Sequence, residues 1–539
     1  MSESLDTPTS PATAWRWQAL LCFLPIAFLW VVLINHLRVE WTVNAQYNYG
    51  WAVPFLCAYL AWQASRAPGT SGLASIFSTT LFKISWALLL LLSLLYLPTR
   101  LVQEANPDWR LVSWALAIIV VGLTLVFVHR VFGLQVLRWT AFPVVFFFVA
   151  VPWPTLIEEP LIRRLAEFNA IGAVEILNLI GLPALRHGNV IEISTGLVGI
   201  EDACSGIRSF QACLMIGLFL GAFNRLRTSR RLELVIAGFL LAILFNLGRT
   251  ILLVGVAAKQ GIPAIAKWHD PAGVTILVGC FLGVWALAAL FARRAAVPAE
   301  PPVAALPPPS ALPLPQRRVA LALASGLFLW VVACEAGVQF WYARHESQAS
   351  TRATWTVHLP GDAPQFHEVP FAPVAVQMLR FDEGRNAAWV GLDGLRYQAI
   401  FLHWHPGRIA VNLARSHTPE VCLTASGRKL ADGPAPQTIV VDGLALKFDV
   451  YHAEGEGLWV YYCLWEDGVA SDSNETEHLT YGNRLRPVLE GRRNSGQRSL
   501  ELAVWSTASP DEIHSRMAEL IPSLVQVHSP SLYQNPPSP

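Results

Sequence analysis

The stretch LELVIAGFLLAILFNLGRTILLVGV (232–256) decides the fold. It exceeds the roughly 20 apolar residues that carry an α-helix through the hydrocarbon of a bilayer. Its only charges are Glu233 at the start and Arg249 near the end. Working outward, similar runs recur at about 17–36, 48–64, 82–98, 111–128, 139–152, 205–223, 272–292 and 318–342, the one at 139–152 short and interrupted by Pro143. Of 539 residues 53% are hydrophobic and 14% charged, whereas soluble domains carry about a quarter charged residues. Such a chain needs lipid as part of its solvent. The reading is a polytopic α-helical membrane protein of about 8–9 transmembrane helices. The net charge of +1 and the lack of a basic tract give no support to a nucleic-acid partner.

Lysine and arginine in short loops set the orientation. Arg225, Arg227, Arg230 and Arg231 form the densest cluster, with others at Arg130 and Arg138, Arg293 and Arg294, and Arg317 and Arg318. All four fall on one side for this span count, which is taken as cytoplasmic. Residues 1–16 are then a cytoplasmic tail, and the first apolar run lacks a small-residue cleavage site, so it reads as a retained span. Segments 37–47, 99–110, 152–204 and 257–271 fall outside. The membrane unit covers 17–294, a stiff Pro/Ala-rich linker 295–317, and a last span 318–342.

Residues 343–527 change character. WVGLDGLRYQAIFLHW (389–404), ALKFDVYHA (445–453) and LWVYYCLW (458–465) alternate like strands, with Asp393-Gly394 and Asp442-Gly443 as turn signals. A β-rich α+β extracytoplasmic domain with a helix near 510–526 is expected, and a disordered tail at 528–539. In the outer segment 152–204, residues 156–180 suit an interfacial helix whose polar face carries Glu158, Glu159, Arg163, Arg164 and Glu167, ended by Gly181 and Pro183. HGNVIEIST (187–195) then alternates like a strand, so that a short hairpin leads to GIEDACSGIRSF (199–210).

There Cys204 sits among Glu201, Asp202, Ser205 and Arg208 where a helix is about to begin at Ser205-Gly206. Unpaired amides at a helix N-terminus stabilise a thiolate. Arg249, with Asn246 one turn earlier on the same face, lies near the outer end of its span, where a charge in lipid marks function by default. His269, in AKWHDPAG (266–273), lies in the next outer loop just before a span, and Asp270 either orients it or caps that helix. Together Cys204 as nucleophile, His269 as general acid/base and Arg249 as oxyanion stabiliser suit attack on a peptide carbonyl. Arg208, Asn246 and Glu201 are candidate substrate-binding residues.

ACSGIR (203–208), the arginine after Asn246 and the following His269 resemble the signature of the exosortase/archaeosortase family, over roughly 15–295; YNYGWAVPFLCAYLAW (47–62) is similar to a further family segment. The resemblance implies a membrane cysteine protease or transpeptidase of the cell inner membrane, without a cofactor. Its implied partners are membrane lipid, exported proteins bearing a C-terminal motif, transmembrane helix and basic tail, and a cell-envelope acceptor, for which a polysaccharide-related component is one candidate. It places the proposed catalytic Cys, Arg and His on Cys204, Arg249 and His269. SHTPEVCLTASG (416–427) resembles the His-x-Pro-Glu-x-Cys segment of the exosortase-associated periplasmic domain of exopolysaccharide-linked systems.

Other readings stay open. One is a non-enzymatic component of exopolysaccharide export or assembly, with the C-terminal domain as a binding module; another is a transporter using Arg249 as a substrate-binding charge, which would make Cys204 dispensable. Of the eight cysteines, Cys213 lies in apolar sequence, and Cys422 and Cys463 are a possible disulfide. His403 and His405 share a strand face and, with His417, invite a metal; spacing of this kind is weak, and no metal is expected.

Overall fold

The computed structural model describes residues 11–65, 80–188, 190–199, 206–294, 314–349, 354–372, 375–376, 379–415, 418–419, 423, 430–431, 435–453, 455, 457–468 and 481–528. The chain divides into two compact units, one of residues 1–99 and 110–334, the other of 100–109 and 335–539.

The first unit is helical because a bilayer offers backbone amides no water, so each span must satisfy its own hydrogen bonds. Its elements are α1 (Pro11–Val43), a 3-10 turn (Ala45–Trp51), α2 (Val53–Ser65), α3 (Thr80–Ala105), α4 (Arg110–Phe146), a second 3-10 turn (Phe147–Ala150) and α5 (Thr155–Leu179). A three-stranded antiparallel meander follows, of β1 (Ala184–His187), β2 (Val190–Ile193) and β3 (Gly196–Gly199). Then come α6 (Ile207–Phe223), α7 (Thr228–Gln260), α8 (Ala264–Arg294) and α9 (Leu314–Ala349).

Among the described residues, six helices are long and apolar enough to cross a membrane, or seven if a bent pair is one span. This lowers the expected 8–9, and the physical reason is length. The run at 48–64 folds as a 3-10 turn plus a 13-residue helix, and that at 205–223 gives a helix of 17 residues. The run at 139–152 belongs to the lower part of α4, which breaks at Gly133 (φ 85°, ψ 175°); its continuation is bent by 66° into α5. The expected outer loop at 257–271 is mostly helix, since α7 runs to Gln260 and α8 begins at Ala264. Pro271 therefore lies inside α8, a position membrane helices tolerate.

Helices α6, α7 and α8 pack on one another around Cys213, Leu220, Leu234, Ala242, Cys280 and Val284. Small residues let them approach. A Cβ on Gly238 would meet Cys213 Cβ and Val284 at 3.3 Å, and one on Gly279 would meet the Phe245 ring at 3.1 Å. Van der Waals fit of this kind replaces the hydrophobic drive that lipid removes.

The second unit is a seven-stranded antiparallel sheet in the order β5 (His367–Glu368), β6 (Glu383–Val390), β7 (Arg396–Trp404), β11 (Gln497–Trp505), β10 (Leu458–Glu466), β9 (Leu444–Ala453) and β8 (Ala435–Val441). Two helices, α10 (Ala410–Arg415) and α11 (Tyr481–Leu489), lie between strands in sequence. A pair formed by β4 (Thr354–Val357) and β12 (Val525–His528), with α12 (Pro510–Leu524), covers one face. The turn signals act as read: Asp442 and Gly443, at φ 47° and 82°, join β8 to β9 in the twist that a two-residue hairpin needs. Alternation along β11 sends Leu500, Leu502 and Val504 into a core with Trp355, Phe401, Phe448, Tyr461, Trp465 and Met517. Ser509 caps α12 by accepting the amide of Glu512, with Pro510 as its first residue.

Leu502 is fully buried on a central strand, so Leu502→Ala should destabilise the sheet by about 2–5 kcal/mol. Hydrogen exchange of the full chain should show lost protection in peptides of β10 and β11, and unchanged exchange there would contradict this core.

Candidate functional site

The end of the first unit opposite the Arg225–Arg231 turn holds a cleft of about 630 Å³. Its walls come from the 3-10 turn after α1 (Asn44, Ala45, Gln46), the start of α6 (Gly206 to Ser209), the later part of α7 (Asn246, Arg249) and the first turns of α8 (His269, Asp270, Gly273). Polar residues that looked misplaced in apolar runs thus converge on one hollow.

Gly206 is where α6 begins, with φ 88°. A Cβ there would lie 2.8 Å from the side-chain amide of Asn246, so both the backbone conformation and the close approach demand glycine. Asn246 is buried and Arg208 exposed, and both line the cleft. Arg249 follows Asn246 by one turn. Its Nη2 lies 2.9 Å from His269 Nε2, and Gly273 of α8 lies beside that nitrogen. Arg249 Nε is buried and has no hydrogen-bond partner.

A guanidinium can only donate, so His269 Nε2 accepts from Arg249. The ring proton then sits on Nδ1, which donates to Asp270 Oδ1 at 3.0 Å. His269 thus lies on α8, not in the loop expected. Asp270 is within the helix as well and serves as the imidazole's partner, not as an N-cap.

Cys204 and Glu201 lie outside the described residues, as do Asp202 and Ser205. Cys213 is wholly buried in the α6–α7–α8 core. Cys463 is a buried free thiol on β10, its proton held more tightly by burial, whereas Cys422 and His417 lie outside the described residues.

Glu158 is the residue the sequence misplaced. Its neighbours Glu159, Arg163 and Arg164 are exposed as expected, but Glu158 itself is buried. Its carboxylate accepts from the Tyr47 hydroxyl, the Gln46 amide and Arg110 Nη1. Gln211 of α6 donates to it at 3.3 Å and accepts from Gln46 at 3.2 Å. Arg110 also reaches Glu40 at 3.1 Å, and the Tyr47 hydroxyl accepts the Trp153 amide at 2.9 Å. One carboxylate therefore ties α1, its 3-10 turn, α4, α5 and α6, and through Gln46 it braces a cleft wall. The only sequence signal was that Tyr47, Arg110 and Gln211 are each polar beside an apolar run.

These helices and this cleft define a multi-pass membrane protein with an arginine–histidine centre at one end of its bundle. Residues 41–286 match the family model Exosortase_EpsH, transmembrane exosortase, and this membrane unit belongs to that family. The match does not extend over the C-terminal sheet. No curated protein and no solved structure matches the chain.

Removing one partner of a buried ion pair costs about 3–5 kcal/mol. Glu158→Ala, which leaves Arg110 with Glu40 alone and the Tyr47 and Gln211 donors without their acceptor, should lower the melting temperature of the purified protein markedly, whereas Leu156→Ala on the exposed side of α5 should not. Equal melting of the two variants would overturn the bracing role.

Proposed function

We propose that the chain is a membrane cysteine transpeptidase or protease that cleaves C-terminal sorting signals of exported proteins through an acyl-enzyme at Cys204. The observation that carries this reading is the Arg249–His269 contact at 2.9 Å beside Gly206. Cys204 is two residues before Gly206, and two Cα–Cα steps of about 3.8 Å tether it to that cleft.

In this reading the Cys204 thiol gives its proton to His269, and the sulfur attacks the peptide carbonyl carbon. Arg249 stabilises the resulting oxyanion. The C–N bond breaks as His269 returns the proton to the leaving amine, which leaves a thioester. An acceptor amine, or water, then attacks that carbonyl and loses a proton, and the thiol is restored. Arg208 and Asn246 line the space beside the reacting bond. Asp270 keeps the His269 ring proton on Nδ1, and Nε2 is freed to take the thiol proton as Arg249 Nη2 turns from it to the developing oxyanion.

The cleft and the C-terminal sheet are proposed to face the extracytoplasmic side of the cell inner membrane. The support is the Arg225, Arg227, Arg230 and Arg231 cluster at the other end of α6 and α7. The resemblance of 416–427 to an exosortase-associated periplasmic domain suits that side. The acceptor is proposed to be an envelope component, polysaccharide-related in this reading.

Co-expression with a protein bearing the motif–helix–basic-tail signal tests the chemistry. Cys204→Ala and Cys204→Ser should abolish processing; unchanged processing in Cys204→Ala would sink the enzyme and favour a non-enzymatic export component. Arg249→Lys, which loses the planar fork, should slow processing about 10²–10³-fold, the effect of losing one oxyanion donor. His269→Ala should cost about 10²–10⁴-fold. For topology, reporters fused after residues 228 and 345 should read cytoplasmic and extracytoplasmic respectively. The same side for both would refute the orientation.

A further inference from the structure

The C-terminal sheet carries a second constellation. Glu383 on β6 stands directly opposite His403 on β7 in the antiparallel register, and His405 follows two residues on, so all three side chains share one face. One oxygen of Glu383 lies 3.1 Å from His405 Nε2 and the other 3.6 Å from His403 Nδ1. One ligand atom from each of the three residues lies within 4.8 Å of the others. We propose that Glu383, His403 and His405 form a binding site for a divalent transition-metal ion, with zinc the cation that fits the donor set.

Distances support this. Two ligands at about 2.0–2.2 Å from a tetrahedral zinc stand roughly 3.3–3.5 Å apart; each histidine lies 3.1 or 3.6 Å from one of the two Glu383 oxygens, and one donor atom from each residue lies within 4.8 Å of the others, so a small closing of the side chains completes the set. Two imidazoles and one carboxylate, with a fourth position left to water, is a recurrent zinc set.

The surroundings are those of a metal ligand. His403 Nε2 is buried and has no hydrogen-bond partner; it faces Asp467 Oδ2 at 3.6 Å. Asp467 is itself gripped by Arg498, directly across from His403 on β11, at 2.8 and 3.3 Å. A carboxylate aimed at the far nitrogen of a ligating histidine fixes its tautomer and ring orientation. His405 is held through its backbone amide, which donates to Asp382 Oδ2 at 2.7 Å. Glu383 and His403 thus sit opposite each other on paired strands, where backbone register sets their spacing, and His405 follows just past the end of β7.

The test uses the full-length protein in detergent, carrying Cys204→Ser so that the thiol cannot bind metal, stripped with chelator and then dialysed against Zn²⁺. Metal content and competition titrations should give one zinc per chain. Co²⁺ should give the visible absorption of a low-coordinate site. Glu383→Gln and His405→Ala, both at exposed positions, should abolish stoichiometric binding, and Asp467→Asn should weaken it about 10–100-fold. No retained zinc in the parent, or equal zinc in parent and variants, would overturn the site. This outcome is independent of whether Cys204 is a nucleophile.

Discussion

The membrane unit is organised around one buried carboxylate. Glu158 brings a negative charge into a place where an isolated ion would be prohibitively costly, and it is tolerated because Arg110, Tyr47, Gln46 and Gln211 surround it. Those partners come from three separate segments, the 3-10 turn after α1, α4 and α6. The charge therefore acts as a registration point: only one arrangement of α1, α4, α5 and α6 satisfies it. Apolar packing alone would specify less, since lipid tails are as apolar as leucine and give helices little reason to prefer one neighbour over another.

From that point the cleft follows. Gln46, braced by Glu158 and Gln211, forms one wall, and α6 begins at Gly206 against Asn246. Arg249 and His269 complete it from α7 and α8. The first unit thus uses lipid-tolerant helices for its bulk and reserves polar chemistry for one end. The second unit solves a different problem. Its sheet buries alternate residues against α12 and β4, the economy of a protein folding in water.

Much of this was legible in the chain. Hydropathy gave the helices, polar residues within an apolar run pointed to Asn246 and Arg249, and His269 was picked out by its place just before the next span. The β character of the C-terminal part showed in alternation and in the Asp-Gly turns. What was not legible depends on tertiary partners. Glu158 has the helical position of a surface residue and becomes buried only because Arg110 and Tyr47 meet it. His269-Asp270-Pro271 reads locally as a helix start, yet the helix begins at Ala264. Glu383 joins His403 only once the register of β6 on β7 is known, which spacing within one strand cannot reveal.

The contact of Gly206 with Asn246 has a geometric corollary. Asn246 and Arg249 are consecutive turns of one rigid helix, and α6 is seated on that helix with no room for a methyl group. The start of α6 and the guanidinium are thereby measured from a common datum. His269 stands on a separate helix, α8, which shares a core with α6 and α7, and its Nε2 meets Arg249 within the cleft. Any slide of α8 along α7 would have to open that core, so the imidazole is held to the same frame as the guanidinium.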